Sequence, residues 1–195
     1  MGVFVRLHNM DTKITPSVVD CVAEVFGEVY EQEADAIFRF CILRTSNREI
    51  ALDLTQDTFL RFWNSLVSKK EIKNYRTFLF TIARNLIIDW YRKKKSFSLE
   101  TLMESVVEGR SNFTPLSSDD VGINSEASFL LRKIGELPEP YGNAVYLRCV
   151  EELKPREISE ILGESANVIS VRISRGLEQL RTMLHMEHVH IAKTA

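Results

Sequence analysis

Asn167, Ser170, Val171, Arg172, Ser174, Arg175 and Arg181 lie within one stretch, ANVISVRISRGLEQLRTML. At 100° per residue most of them share one side of a helix, with Arg172 on its flank. Ile169, Ile173, Gly176, Leu177, Leu180 and Leu184 fall on the other side. Short polar side chains let a helix approach base edges, and spaced arginines hold phosphates or guanines, so this pattern suits a DNA major groove. A second basic surface lies in FLFTIARNLIIDWYRKKK. There Arg84, Asn85, Ile88, Tyr91, Arg92 and Lys95 oppose an apolar face of Leu79, Ile82, Ala83, Leu86 and Trp90. Lys73, Asn74 and Tyr75 stand in the polar stretch just before it. Cations interleaved with an aromatic ring fit backbone contact plus stacking on unpaired bases. No Ser-His-Asp, phosphate-loop or paired-carboxylate pattern occurs, so the chemistry indicated is binding and not catalysis.

The elements that must position these groups read as helices throughout. Apolar residues recur at helical spacing from about Ser17 to Thr45, and TSN at 45–47 breaks the pattern and offers an N-cap. REIALDLTQDTFLRFWNSL follows as a second helix whose polar face, Asp53, Gln56 and Asp57, is acidic and amide-rich. The basic FLFTIARN segment is the third. From 96 to 127 the chain turns rich in Ser, Gly, Asn and Asp, with six acidic residues against Arg110 alone. This reads as an acidic flexible linker. Beyond it come SFLLRKIGELP, YGNAVYLRCVEEL and then PREISEILG–GES–ANVISV, which has the layout of a helix-turn-helix. Pro155 sits in a first turn and Gly163 in the bend. The expected fold is all-α. An extension at 1–23 precedes one small helical domain at 24–95, and the linker at 96–127 joins it to a second at 128–184. That second domain contains the helix-turn-helix, and a tail spans 185–195.

Composition is that of a globular protein: of 195 residues, 45% are hydrophobic and 27% charged. The net charge is -2, unlike a free-standing DNA-binding domain, whose pI usually exceeds ~9. Cys21, Cys41 and Cys149 form no CxxC pair, and Cys41 and Cys149 read as small buried hydrophobes in a reducing compartment. His185, His188 and His190 in the tail lack carboxylate and cysteine companions, so no metal site is assigned, and no cofactor is implied. No signal-peptide core or ~18-residue apolar run is present, so the chain is expected to be cytoplasmic, with no membrane insertion of its own.

Three segments, in order, resemble the extracytoplasmic-function (ECF) class of bacterial RNA polymerase sigma factors. DLTQDTFLRFW looks like the core-binding helix of sigma region two. FLFTIARNLIIDWYRKKK resembles the helix that melts the promoter and reads its minus-ten element, and LPEPYGNAVYLRCVEELKPREISEILGESANVISVRISRGLEQLR resembles region four, which reads the minus-thirty-five box. The resemblance implies that Asp53, Leu54, Thr55, Gln56, Asp57, Thr58 and Phe59 form the polymerase-docking segment. Asp53, Gln56 and Asp57 would meet the clamp helices of the largest subunit, while Leu54 and Phe59, with Phe62 or Trp63, pack inward. It implies that Lys73, Asn74 and Tyr75 hold a flipped base, and that region four meets the flap of the second-largest subunit. It also implies an anti-sigma partner. Ser170, Glu178 and Gln179 stand where the family often carries basic residues, and Val171 and Leu177 where it is often polar or basic, which implies a weak or altered minus-thirty-five contact. The alternative is a stand-alone helix-turn-helix regulator whose first domain dimerises or senses, although it leaves the DLTQDTF helix without a task.

Overall fold

The computed structural model describes the chain path over residues 16–99 and 125–194, and side chains over 20–94 and 126–185. The extension to residue 15 and most of the expected linker lie outside the described residues. All regular structure among the described residues is helical: α1 Pro16–Thr45, α2 Arg48–Val67, α3 Tyr75–Leu99, α4 Ser125–Glu136, α5 Tyr141–Cys149, α6 Pro155–Leu162 and α7 Ala166–Thr194.

Local chemistry sets the helix ends. The Asn47 side chain accepts from the Ile50 N–H and starts α2. Asn74 does the same for α3, its Oδ1 accepting from the Thr77 N–H at 3.0 Å. Pro155 opens α6, where its missing N–H would be unpaired in any case, and Gly163 ends it in the left-handed region at φ 71°. The Glu157 carboxylate accepts from the Lys154 N–H at 2.7 Å, closing the first turn of α6 from below.

Helices α1, α2 and α3 pack together in the first domain. Their apolar stripes bury Ile37, Phe40, Cys41, Ala51, Phe62, Leu79, Phe80 and Ala83. The isoleucine, leucine and phenylalanine side chains among them each contribute roughly 1.5–3 kcal/mol by leaving water. Phe26 anchors the open end of this core, 5.2 Å from the Trp63 ring and 6.0 Å from that of Phe62. In the second domain α5 and α6 pack on α7, and α4 closes the group. Leu131, Ile134, Leu137, Val145, Leu147, Ile158, Ile161 and Ile169 fill it.

Two observations differ from the sequence expectations, and a third goes beyond them. Cys149, expected to be buried, is exposed beside exposed Arg148 at the very end of α5, although Tyr146 and Leu147 of the same turn are buried; Cys41 is buried as expected. The backbone of α7 continues to Thr194 with no Gly or Pro to stop it, so the histidine-bearing tail extends the helix. The two domains touch, with α6 directly against α3.

Candidate nucleic-acid interface

The helix-turn-helix forms as its sequence requires. Ile158 and Ile161 of α6 are buried, and the turn is closed by Gly163 and Glu164 N–H groups donating to the Ser159 carbonyl at 2.9 and 3.2 Å. Ile169 and Leu180 of α7 are buried, and Ile173, Leu177 and Leu184 pack against that core. Gly176 lets α7 approach α5: a Cβ there would stand 2.5 Å from Val145 Cγ2. Asn167, Ser170, Val171, Ser174, Arg175 and Arg181 are exposed, as a groove-reading face requires. Arg172 is instead half-buried and paired with Glu164 at 3.0 Å, so it braces the turn from the flank. Val168, missed from the sequence, joins the outer face at 38% exposure beside Val171 at 48%. Apolar groups among serines and arginines can meet thymine methyls. Pro140, Tyr141, Asn167, Val168, Val171 and Arg175 line a concavity of about 430 Å³ along this face.

The α3 surface is less free than its sequence suggests. Lys73, Asn85 and Arg92 are exposed, and Arg92 pairs with Asp89 at 3.0 Å. Tyr75 is exposed and meets the Phe62 ring edge-on at 5.5 Å. Ile88 is also exposed, whereas Arg84 and Tyr91 are half-buried. Tyr91 turns its hydroxyl to donate to the Arg44 carbonyl. Asn74 is held at both ends of its amide, since Nδ2 donates to Glu157 of α6 at 2.9 Å while Oδ1 caps its own helix. The side chain of Lys95 lies outside the described residues.

On α2 the docking segment divides into two sides. Asp53, Gln56 and Asp57 are exposed. Leu54, Thr55, Thr58 and Phe59 are buried, so these four hold the helix and present no surface to a partner. The threonine hydroxyls are used internally: Thr55 donates to the Ala51 carbonyl and Thr58 to the Leu54 carbonyl, both at 2.7 Å. Leu52 and Leu60, one turn either side of Gln56, are 41% and 58% exposed and complete the outward stripe. Among the described residues nothing covers these two leucines, a feature that helical periodicity could have revealed.

Residues 29–97 match the family Sigma-70 region 2, and residues 130–180 match Sigma-70, region 4. SigW of Bacillus subtilis, an ECF RNA polymerase sigma factor, is 30% identical over 83% of this chain and 89% of SigW. The chain belongs to the ECF class of RNA polymerase sigma factors. SigM of the same organism, of the same class, is 31% identical over 80% of this chain and 93% of its own length. The stand-alone regulator is not favoured, because both halves match in order and the relatives span both. The fold of the sigma factor is also that of the RpoE sigma factor solved with the anti-sigma factor NepR from Bartonella quintana. That likeness has a TM-score of 0.64 at 22% identity, covering 83% of this chain and 98% of that one. CnrH, solved with the cytosolic domain of CnrY, gives 0.56 at 19% identity over 87% and 95%. No helix among the described residues is long and apolar enough to cross a membrane.

Proposed function

We propose that this sigma factor docks on core polymerase through the outward stripe of α2 and touches promoter DNA through α3 and α7, acting in the cytoplasm. Asp53, Gln56 and Asp57 supply the polar contacts to the clamp helices, and Leu52 and Leu60 flank them as apolar anchors. Leu54, Thr55, Thr58 and Phe59 keep the stripe straight from inside. Lys73, Asn74 and Tyr75, with Arg84, Asn85, Ile88, Tyr91, Arg92 and Lys95, form the surface for the opened strand. Unpaired bases stack on the tyrosines while the cations follow the backbone. In region four, Asn167, Ser170, Val171, Ser174 and Arg175 enter the major groove, Arg181 holds a phosphate, and Arg172 positions the turn through Glu164. The domain also reaches the flap of the second-largest subunit. A near-neutral chain is sufficient because the polymerase supplies most of the field that draws DNA.

The observation that carries this reading is an acidic, leucine-flanked stripe exposed on α2, a helix separate from the basic α3 and α7. An anti-sigma factor is the natural inhibitor, since one accompanies the RpoE sigma factor just described. Run-off transcription with core polymerase tests the assignment. The wild-type chain should start RNA at a defined promoter, and Asp53→Ala with Asp57→Ala should abolish initiation and co-elution with core. Arg175→Ala should weaken duplex contact while leaving co-elution intact. Full initiation by the aspartate double variant would overturn the docking assignment.

A further inference from the structure

The first two turns of α7 offer the groove little that can form a hydrogen bond. Ser165 caps the helix, its Oγ accepting from the Val168 N–H at 3.3 Å, and so fixes Val168 in the first turn. Arg172 is held on the flank by Glu164 at 3.0 Å. The Ser170 hydroxyl donates to the Ala166 carbonyl at 2.9 Å, so its one proton is used within its own helix. Beside Asn167 and Ser170, the side chains left facing outward in these turns are Val168 and Val171.

A single apolar residue on a surface is ordinary, but these two are neighbours on one face. Valine is also a weaker helix former than alanine, so neither is there to favour the helix. The same branching at Cβ holds each side chain in one dominant rotamer, and a group already fixed loses little freedom on docking. Three residues separate them, about 4.5 Å along the axis, against about 3.4 Å between successive base pairs.

Valine neither donates nor accepts a hydrogen bond. Set against a purine N7, a guanine O6 or an exocyclic amine, it would strip water from that group and return nothing. One base alone presents the major groove with an apolar group, the C5-methyl of thymine. The two valines line the recess of about 430 Å³ whose other wall is Pro140 and Tyr141 at the start of α5, so they form part of a concave seat. Exposed Arg175 and Arg181 follow along the same helix and supply the charge that draws a phosphate backbone to it.

We propose that Val168 and Val171 form a methyl-reading step, which makes this sigma factor select thymine at one or two neighbouring positions of the upstream duplex element. The arginines set affinity and register, and the valines choose the base. The inference rests on the groove assignment of α7 proposed above and adds the base that the groove must offer.

The test uses holoenzyme reconstituted from the full chain and core polymerase. It is offered duplexes in which one helical turn of about ten base pairs is randomised upstream, joined to a pre-opened bubble so that strand opening does not limit retention. Retained duplexes should carry thymine at one or two fixed, neighbouring positions. Replacing those thymines by deoxyuridine removes the C5-methyl and leaves every hydrogen-bonding group in place. Affinity should then fall roughly fourfold per methyl, the transfer value of one buried methyl group. With Val168→Ala and Val171→Ala together, selection from the same library should lose thymine at those positions, and the deoxyuridine change should become neutral. Alanine is the better helix former, so weaker binding by this variant is not a loss of folding. A selected element without thymine, equal affinity for thymine and deoxyuridine duplexes, or unchanged thymine selection by the alanine pair would each overturn the inference. A holoenzyme that selects no upstream sequence at all would refute the groove assignment of α7 itself.

Discussion

Two glycines in similar helical settings should respond oppositely to the same substitution. Gly176 lies inside α7, where an added Cβ would meet Val145 Cγ2 at 2.5 Å, Tyr141 Cβ at 3.3 Å and the Tyr141 carbonyl at 3.5 Å. Carbons pack best at about 3.5–4.0 Å, so roughly 1 Å must be found. Val145 has little room to give: it is fully buried and β-branched in a helix, where one χ1 rotamer dominates. The Tyr141 atoms move only with the backbone of α5. Overpacking of this kind costs about 1–3 kcal/mol. Against it stands the gain of roughly 1 kcal/mol from replacing a helical glycine by alanine. The close contact puts the cost near its upper range, so Gly176→Ala should destabilise by about 1–2 kcal/mol, lowering Tm by roughly 2–8 °C. Gly27, inside α1, has nothing within 4 Å of its hypothetical Cβ. Gly27→Ala should stabilise by about 0.5–1 kcal/mol, since only the unfolded chain loses freedom. Urea unfolding followed by circular dichroism would measure both. In a Val145→Ala background the Gly176→Ala change should become neutral or stabilising, a coupling of about 1 kcal/mol or more. Equal shifts for the two glycines, or strict additivity with Val145→Ala, would refute the close crossing of α5 and α7.

Two further outcomes follow from buried ionisable groups. The Cys41 thiol is buried, and that burial pushes its pKa up to about 11, so a thiol reagent at pH 8 should titrate Cys21 and Cys149 promptly and Cys41 only on unfolding. Three fast thiols in the native protein would place Cys41 outside the core. Glu33 is raised above its ordinary value mainly by burial, with Arg76 opposing. The folded state then holds its proton to higher pH than the unfolded state, so this group's contribution to stability falls as pH rises from about 4.5 through the folded value. Glu33→Gln should remove that part of the pH dependence and cost little at neutral pH; a large loss at pH 7, read by the same urea titration, would show that the pair with Arg76 dominates.

Much of this architecture was legible because local signals agreed with tertiary need. Asn47 before α2, Pro155 at the start of α6 and Gly163 at its end mark boundaries through backbone chemistry alone. The inward stripe of α7 follows from a period of 3.6 residues, and the structure buries or packs the residues that period selects. Arg39, Arg44, Arg76 and Glu151 carried no comparable signal. In sequence each is one charge among many on a helix or its flank, and only the meeting of two domains distant in the chain shows that they pair. Tyr91 illustrates the same limit. Periodicity places it on the outer half of α3, and it is outward with respect to its own domain, but α1 and domain two cover it. Leu52 and Leu60 are the reverse case: their spacing marks an exposed apolar pair, easily overlooked because Asp53, Gln56 and Asp57 dominate that face.

The seam between the two domains is charged and polar rather than apolar, which limits how strongly it holds. An apolar interface would gain stability from every square ångström buried and would oppose separation throughout. Buried ion pairs behave otherwise. Their attraction is largely offset by lost hydration, so the pair as a whole is close to neutral, although removing one partner costs about 3–5 kcal/mol. Glu151, Arg76 and Arg39 can each recover water when the domains part, and so can Asn143, Asn74 and Glu157. Separation therefore exposes little that water cannot satisfy beyond Phe40, Tyr146, Ile87 and Leu162. The same charges make the contact selective, because a seat built of arginines accepts the acidic side of domain two and no basic one. A seam of this kind is selective for its partner face without being strongly held.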